Sequence, residues 1–159
     1  MKNGAEFYKA NRERLYAYLL RMTGDLQLAA DLVQESFVRY LDRYGDQKSN
    51  RALLYTIARN AALDIMRRHK ADAGVEMDDH ADPGTSPEQT VIDRQALTRM
   101  LMAVQQLAPM ERELIALVVS ADLSYREIAR MLNISEANVK VKVHRARVRL
   151  REILASEAV

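Results

Sequence analysis

The 159-residue sequence contains no cysteine. That excludes a disulfide framework and a thiolate-ligated zinc site, and it is compatible with a reducing compartment. Glycine and proline are scarce, at five and three residues, whereas Ala, Leu, Arg and Glu are abundant, so few turns separate helix-forming stretches. No uninterrupted apolar run approaches the roughly 20 residues of a membrane span. The stretch Met1 to Leu20 scatters charges through its apolar positions, which is not the pattern of a signal peptide. No phosphate-cradling glycine loop and no nucleophile–base constellation is present. His69, His80 and His144 are spread over charged surface, so nothing predicts an enzyme, a metal or a cofactor.

What is there is charge in blocks. The formal net charge of +2 looks ordinary. Met1 to Lys70 nevertheless holds 13 basic and 8 acidic residues, a net of +5. Ala71 to Gln95 holds 1 and 7, a net of −6, and Ala96 to Val159 holds 10 and 7, a net of +3. Two basic blocks flanking an acidic spacer favour two small domains, each marginal alone, since a chain of roughly 65 residues buries only about 60% of its unfolded surface.

Apolar spacing in steps of three and four predicts helices in both blocks. A first helix from about Glu6 to Met22 turns Leu15, Leu19 and Met22 inward, with Phe7 and Tyr8 before them. Thr23-Gly24-Asp25 breaks it, and Asp25 is placed to cap a second helix whose stripe is Ala29, Leu32, Val33, Phe37, Tyr40 and Leu41. After a loop at Gly45 to Asn50, a third helix runs from about Arg51 to His69 with Leu54, Ile57, Ala58, Ala61, Ile65 and Met66 inward. It ends in Arg67-Arg68-His69-Lys70, a concentrated cationic surface suited to a helix C-terminus. Residues 71–90 read as a flexible acidic linker. Its Asp78-Asp79-His80 and Asp82 cluster lacks the central Gly and terminal Glu of a calcium loop and reads as a solvated acidic segment.

Helical spacing resumes at Val91, Leu97, Leu101 and Val104. A helix then starts at Pro109, in the first-turn position that proline suits, and runs over Met110 to Val119. Two short helices follow. Ser124-Tyr125-Arg126-Glu127 is a capping box opening a helix with Ile128, Ala129 and Leu132 inward, and Asn133, a residue that tolerates the left-handed conformation, stops it. Ser135 caps the next, whose inward residues are Val139, Val143, Ala146 and Leu150. This is a helix-turn-helix spacing, with the second helix presented to a DNA groove. That helix carries Lys140, Lys142, Arg145, Arg147, Arg149 and Arg151. Basic residues also merely solvate helices, but only Glu152 interrupts the positive sign from Lys140 to Leu154, which favours DNA.

The phrases Asp31-Leu32-Val33-Gln34-Glu35-Ser36-Phe37, Arg51 to Asn60, and Ala62-Leu63-Asp64 with Arg67-Arg68 resemble region 2 of bacterial extracytoplasmic-function (ECF) sigma factors. Leu123-Ser124-Tyr125 with Glu127-Ile128-Ala129, Asn133-Ile134-Ser135, Val139-Lys140 and His144-Arg145-Ala146-Arg147 resemble region 4. Both occur in the family's order across nearly the whole chain. The resemblance implies an all-α protein of two small helical domains: region 2 at 1–70 and a C-terminal helix-turn-helix, region 4, at 91–159. It implies that Asp31, Gln34 and Glu35 dock on the clamp of the largest subunit of core RNA polymerase, while region 4 meets the flap of the second-largest. For the −10 element it points to Lys48, Asn50, Tyr55, Arg59, Asn60, Asp64, Arg67 and Arg68, and for the −35 element to Ser124, Tyr125, Glu136, Ala137, Lys140, Val141, His144, Arg145 and Arg147. Leu53 stands where the family commonly has Trp, leaving Tyr55 as the nearest aromatic for stacking, and family members often carry Ser near Val141.

Promoter DNA, core polymerase and an anti-sigma factor are the implied partners. The implied location is the bacterial cytoplasm, with the inner membrane as a holding site where the anti-sigma factor is membrane-bound. The competing reading is a helix-turn-helix repressor or activator acting on operator DNA alone. It leaves the first block without a purpose.

Overall fold

Local backbone chemistry sets where the helices start and stop. The structure, a computed structural model, describes residues 2–45, 50–71 and 89–157. Among these it contains seven α-helices and no strand: α1 (Lys2–Thr23), α2 (Leu26–Tyr44), α3 (Arg51–Ala71), α4 (Gln89–Gln105), α5 (Pro109–Ala116), α6 (Tyr125–Leu132) and α7 (Glu136–Glu157). A π-helical turn, Leu117–Ala121, extends α5. Lys48 and residues 72–88, including the acidic cluster around Asp78, lie outside the described residues.

Asp25 caps α2 as expected, its carboxylate accepting the Leu28 amide at 3.0 Å. Before it, Gly24 takes φ +71°, and a Cβ there would meet the side chain of Gln105 at 3.0–3.2 Å, so both the turn and the close approach call for glycine. Pro109 opens α5, where the Glu111 carboxylate accepts the Ala108 amide at 2.9 Å. The capping box at Ser124 closes in both directions: the Glu127 amide donates to the Ser124 hydroxyl at 3.0 Å, and the Ser124 amide to the Glu127 carboxylate at 2.9 Å. Asn133 ends α6 at φ +59°, and Ser135 accepts the Asn138 amide at 3.1 Å to start α7.

The apolar stripes meet in a core that runs without a break through both groups of helices. Leu15, Tyr18 and Leu19 of α1, Leu32 and Phe37 of α2, and Leu54 and Ile57 of α3 share it with Leu114, Leu117, Ile128, Val139 and Val143 from the second half. A satellite cluster of Leu107, Ile115 and Ala146, joined by Leu150 and Ile153, holds the far end of α7 against α5.

Several expectations change. Leu41, assigned to the inward stripe of α2, is 43% exposed near the C-terminal end of that helix. Ile65 and Met66 are only partly buried, whereas Tyr55 and Ala62 on the same helix are fully covered. The expected helix to Val119 is α-helical only to Ala116 before the backbone widens into the π turn. The last helix is not short: α7 spans 22 residues, its final turns anchored by the satellite cluster.

Candidate nucleic-acid interface

The two faces of α7 are cleanly divided. Val139, Val143 and Ala146 are buried against the rest of the helix-turn-helix, and Glu136, Ala137, Lys140, Val141, His144, Arg145 and Arg147 are all exposed. Positions 140, 141 and 144 lie three, four and seven residues beyond 137, so the four form a single ridge that a major groove can accept. Arg145 and Arg147 flank that ridge, where they suit backbone phosphates, while Arg149 approaches Glu111 of α5 at 3.8 Å. Ser124 is exposed but committed to the capping box, and Tyr125 beside it is half-buried.

On α2, Asp31, Gln34 and Glu35 share the face opposite the buried Leu32 and Val33. Gln27 donates to Asp31 at 3.2 Å, Gln34 to the Tyr8 hydroxyl at 3.1 Å, and Arg39 to Glu35 at 2.7 Å, so the three side chains are held in place yet stay open to solvent. The hydrogen bond from Gln34, with Arg12 nearby, favours the Tyr8 phenolate and lowers its pKa. Val38, 57% exposed, continues the same stripe one turn on. The sequence reading passed over it, although its three- and four-residue steps from Glu35 and Gln34 were visible.

The residues picked for −10 DNA fall into three groups. Asn60, Asp64, Arg67 and Arg68 are exposed along α3, with Arg67 approaching Asp64 at 3.6 Å. Asn50 works as the N-cap of α3: its side-chain oxygen accepts the Leu53 amide at 3.1 Å, and its own amide donates to the Tyr40 hydroxyl at 3.0 Å. Tyr55 and Arg59 are turned toward the second half. In this conformation Tyr55 has no accessible face for a base: it is fully buried, edge-on to Tyr18 with ring centroids 5.3 Å apart. Burial raises the pKa of both phenols, Tyr18 further under the Glu113 carboxylate, and neither hydroxyl has a partner among the described residues. Arg59 forms an ion pair with Glu113 of α5, whose side chain is 7% exposed. Glu113 and its surroundings were missed by sequence reading, because an acid in a short helix that also carries Glu111 reads as surface.

Among the described residues no group of three or more His, Asp or Glu is placed to hold a metal ion, and no helix is long and apolar enough to cross a membrane.

The Sigma-70 region 2 family matches residues 7–71, and the Sigma-70, region 4 family matches residues 97–150. The chain is 34% identical over 155 residues to the ECF RNA polymerase sigma factor SigM of Bacillus subtilis, covering 93% of each. This chain belongs to the ECF RNA polymerase sigma factors. It is also 36% identical over 147 residues to SigL of Mycobacterium tuberculosis, covering 87% of this chain and 81% of that one. Its fold matches the sigma factor RpoE in a complex with the anti-sigma factor NepR from Bartonella quintana, with a TM-score of 0.75, 25% identity and 98% coverage of both chains. This sigma factor is an alternative one that directs promoter-specific transcription, and the all-α arrangement of region 2 and region 4 is that of its family.

Proposed function

We propose that this sigma factor carries core RNA polymerase to promoters with a −35 and a −10 element, reading the first through α7 and opening the second along α3. The observation that carries this reading is the exposed ridge Ala137, Lys140, Val141 and His144, set back to back with the buried Val139, Val143 and Ala146. Lys140 and Arg145 supply hydrogen-bond donors for guanine edges or phosphates, and Val141 supplies apolar contact for a thymine methyl. On α3, Asn60 and Asp64 offer polar edges, and Arg67 and Arg68 grip the backbone of a strand whose bases have left the stack.

The outer face of α2, Asp31, Gln34 and Glu35 extended by Val38, docks on the clamp of the polymerase, and region 4 meets the flap. All of this is binding, with no covalent step supplied by the chain. Free basic surfaces also need control, and an anti-sigma protein covering the polymerase-facing surfaces supplies it. The 25%-identical sigma factor solved with an anti-sigma factor supports that part.

Co-purification with bacterial core RNA polymerase, followed by initiation from a supercoiled template, tests the reading. Stable association and factor-dependent initiation are expected. Tight binding to a duplex operator without any association with core would overturn it in favour of a stand-alone repressor or activator.

A further inference from the structure

The contact between the two halves has a charge pattern of its own. The cations that reach across it come from α1 and α3, and the groups they meet lie in residues 113–122. Arg59 grips Glu113 with two guanidinium nitrogens, the second at 3.4 Å. Arg51 donates to both the main-chain oxygen and the carboxylate of Asp122, at 2.9 and 3.3 Å, and Arg14 reaches the same carboxylate at 3.1 Å. Arg21 donates to the Ser120 hydroxyl at 3.2 Å. Gln105 donates to the Arg21 carbonyl at 2.9 Å and accepts from Arg112 at 2.9 Å, closing the edge of the contact.

Two of the acceptors sit on the least regular backbone in the second half. Glu113 lies on α5 just ahead of the π turn, Ser120 lies within the turn, and Asp122 follows it at φ +56°. Regular helix would carry Ser120 and Asp122 elsewhere, so the widened turn and the left-handed residue aim these two at the arginines. Beneath them the Tyr18–Tyr55 pair is sealed with both hydroxyls unpartnered, a cost that the closed arrangement carries and an open one sheds.

We propose that this contact is a self-inhibitory latch, in which Glu113 and Asp122 occupy arginines of the first half in place of DNA phosphates. The proposal rests on the sigma reading above. Carboxylate and phosphate present the same kind of acceptor to a guanidinium fork, so the two compete for one donor set. With the latch closed, Arg59 and Tyr55 are unavailable. With it open, the arginines are free and Glu113 has moved off with the second half, taking its repulsion away from the DNA path.

The absence of cysteine makes the test direct, because two introduced thiols can be labelled without background. Spin labels at Lys9→Cys and Ser156→Cys, both exposed and outside the contact, report the separation of the halves in the full chain. The distribution in the otherwise unchanged protein should be narrow. Glu113→Gln with Asp122→Asn should broaden it toward longer distances, and Asp122→Asn alone should do so partially while disturbing only an exposed side chain. Circular dichroism and thermal melting confirm that each variant is folded.

Non-specific duplex DNA is the second probe, used with the unlabelled free protein. Freed arginines should tighten binding by at least about fivefold, the lower end of conformational coupling. They should also steepen the slope of log affinity against log salt by roughly one to three units, since each new phosphate contact contributes about 0.9. Glu6→Gln with Glu152→Gln makes the same change in net charge away from the contact and should reproduce neither the distances nor the full gain in slope. Distances unchanged in both latch variants, or lengthened with no more DNA affinity than the charge-matched control, would overturn the latch. Wild-type initiation with core polymerase is measured in parallel: its absence would sink the sigma reading, whereas normal initiation with an unresponsive contact sinks only the latch.

Discussion

Replacing Asn50 separates a structural from a recognition role at a position that sequence resemblance assigns to DNA. The Asn50 side chain accepts the Leu53 amide at 3.1 Å, one of the donors that the first turn of α3 cannot satisfy internally. Asn50→Ala removes that acceptor and leaves the backbone bond to Tyr40 intact. The residue is exposed, so no cavity forms, and the expected loss is that of a cap, about 1 kcal/mol. In a chain of this size that lowers the melting temperature by about 2–4 °C. Asn50→Asp keeps the acceptor and adds a charge favoured at a helix N-terminus by about 0.3–1 kcal/mol, so it should melt at or above the wild type at neutral pH. Thermal melting of the three proteins checks the cap, and open-complex formation with core polymerase checks the DNA role. If Asn50 acts by fixing the start of α3, Asp rescues both measurements. If its amide donates to a base, Asp rescues stability and leaves opening impaired, because a carboxylate has no N–H and repels phosphate. An Asp variant as unstable as the Ala variant would refute the capping argument.

Three further outcomes follow from the site and the core. Lys140→Ala should reduce discrimination among −35 variants by about 1–3 kcal/mol in competition binding by holoenzyme, whereas a uniform loss across sequences would make Lys140 a phosphate contact. Arg67→Ala with Arg68→Ala should slow open-complex formation and leave co-purification with core unchanged, since both lie on α3 away from the outer face of α2; equal loss of the two would contradict that division. Burial holds Tyr18 and Tyr55 above the ordinary phenol value of 10.0, so above that pH the native state keeps protons that the unfolded chain has released. Their contribution is therefore complete below pH 10 and lost as pH rises beyond it. Tyr18→Phe with Tyr55→Phe should be no less stable at neutral pH, having removed hydroxyls without partners, and its urea midpoint should fall less steeply than the wild type's above about pH 10.

The parts of the fold that were legible in the sequence are those fixed by neighbours within four residues. Asp25, Ser124 with Glu127, Asn133, Ser135 and Pro109 each act on their own helix end, and each was readable as a spacing. The inner face of α7 was legible for the same reason. What escaped depends on distant partners. Glu113 is buried only because Arg59, 54 positions away, faces it. Tyr55 lies inside because α1 brings Tyr18 to it, and no periodicity within α3 separates that from a stacking residue at the surface. Leu41 fits the apolar period of α2 yet stays exposed, since periodicity marks a face and not how far along the helix its partners extend. The π turn inserts a residue without altering composition, so its effect on Ser120 and Asp122 has no local signature.

The continuous core also sets a timetable for synthesis. The surfaces of α1 and α3 that end up against the second half leave the ribosome long before their partners, with 54 residues separating even Arg59 of α3 from Glu113. At about 5–20 residues per second that interval lasts roughly 3–10 s. Throughout it the nascent first half carries bare apolar surface beside unneutralised arginines, on a ribosome rich in RNA phosphate. Only once residues 113–122 have emerged can the arginines of the first half find the acceptors that the folded chain gives them.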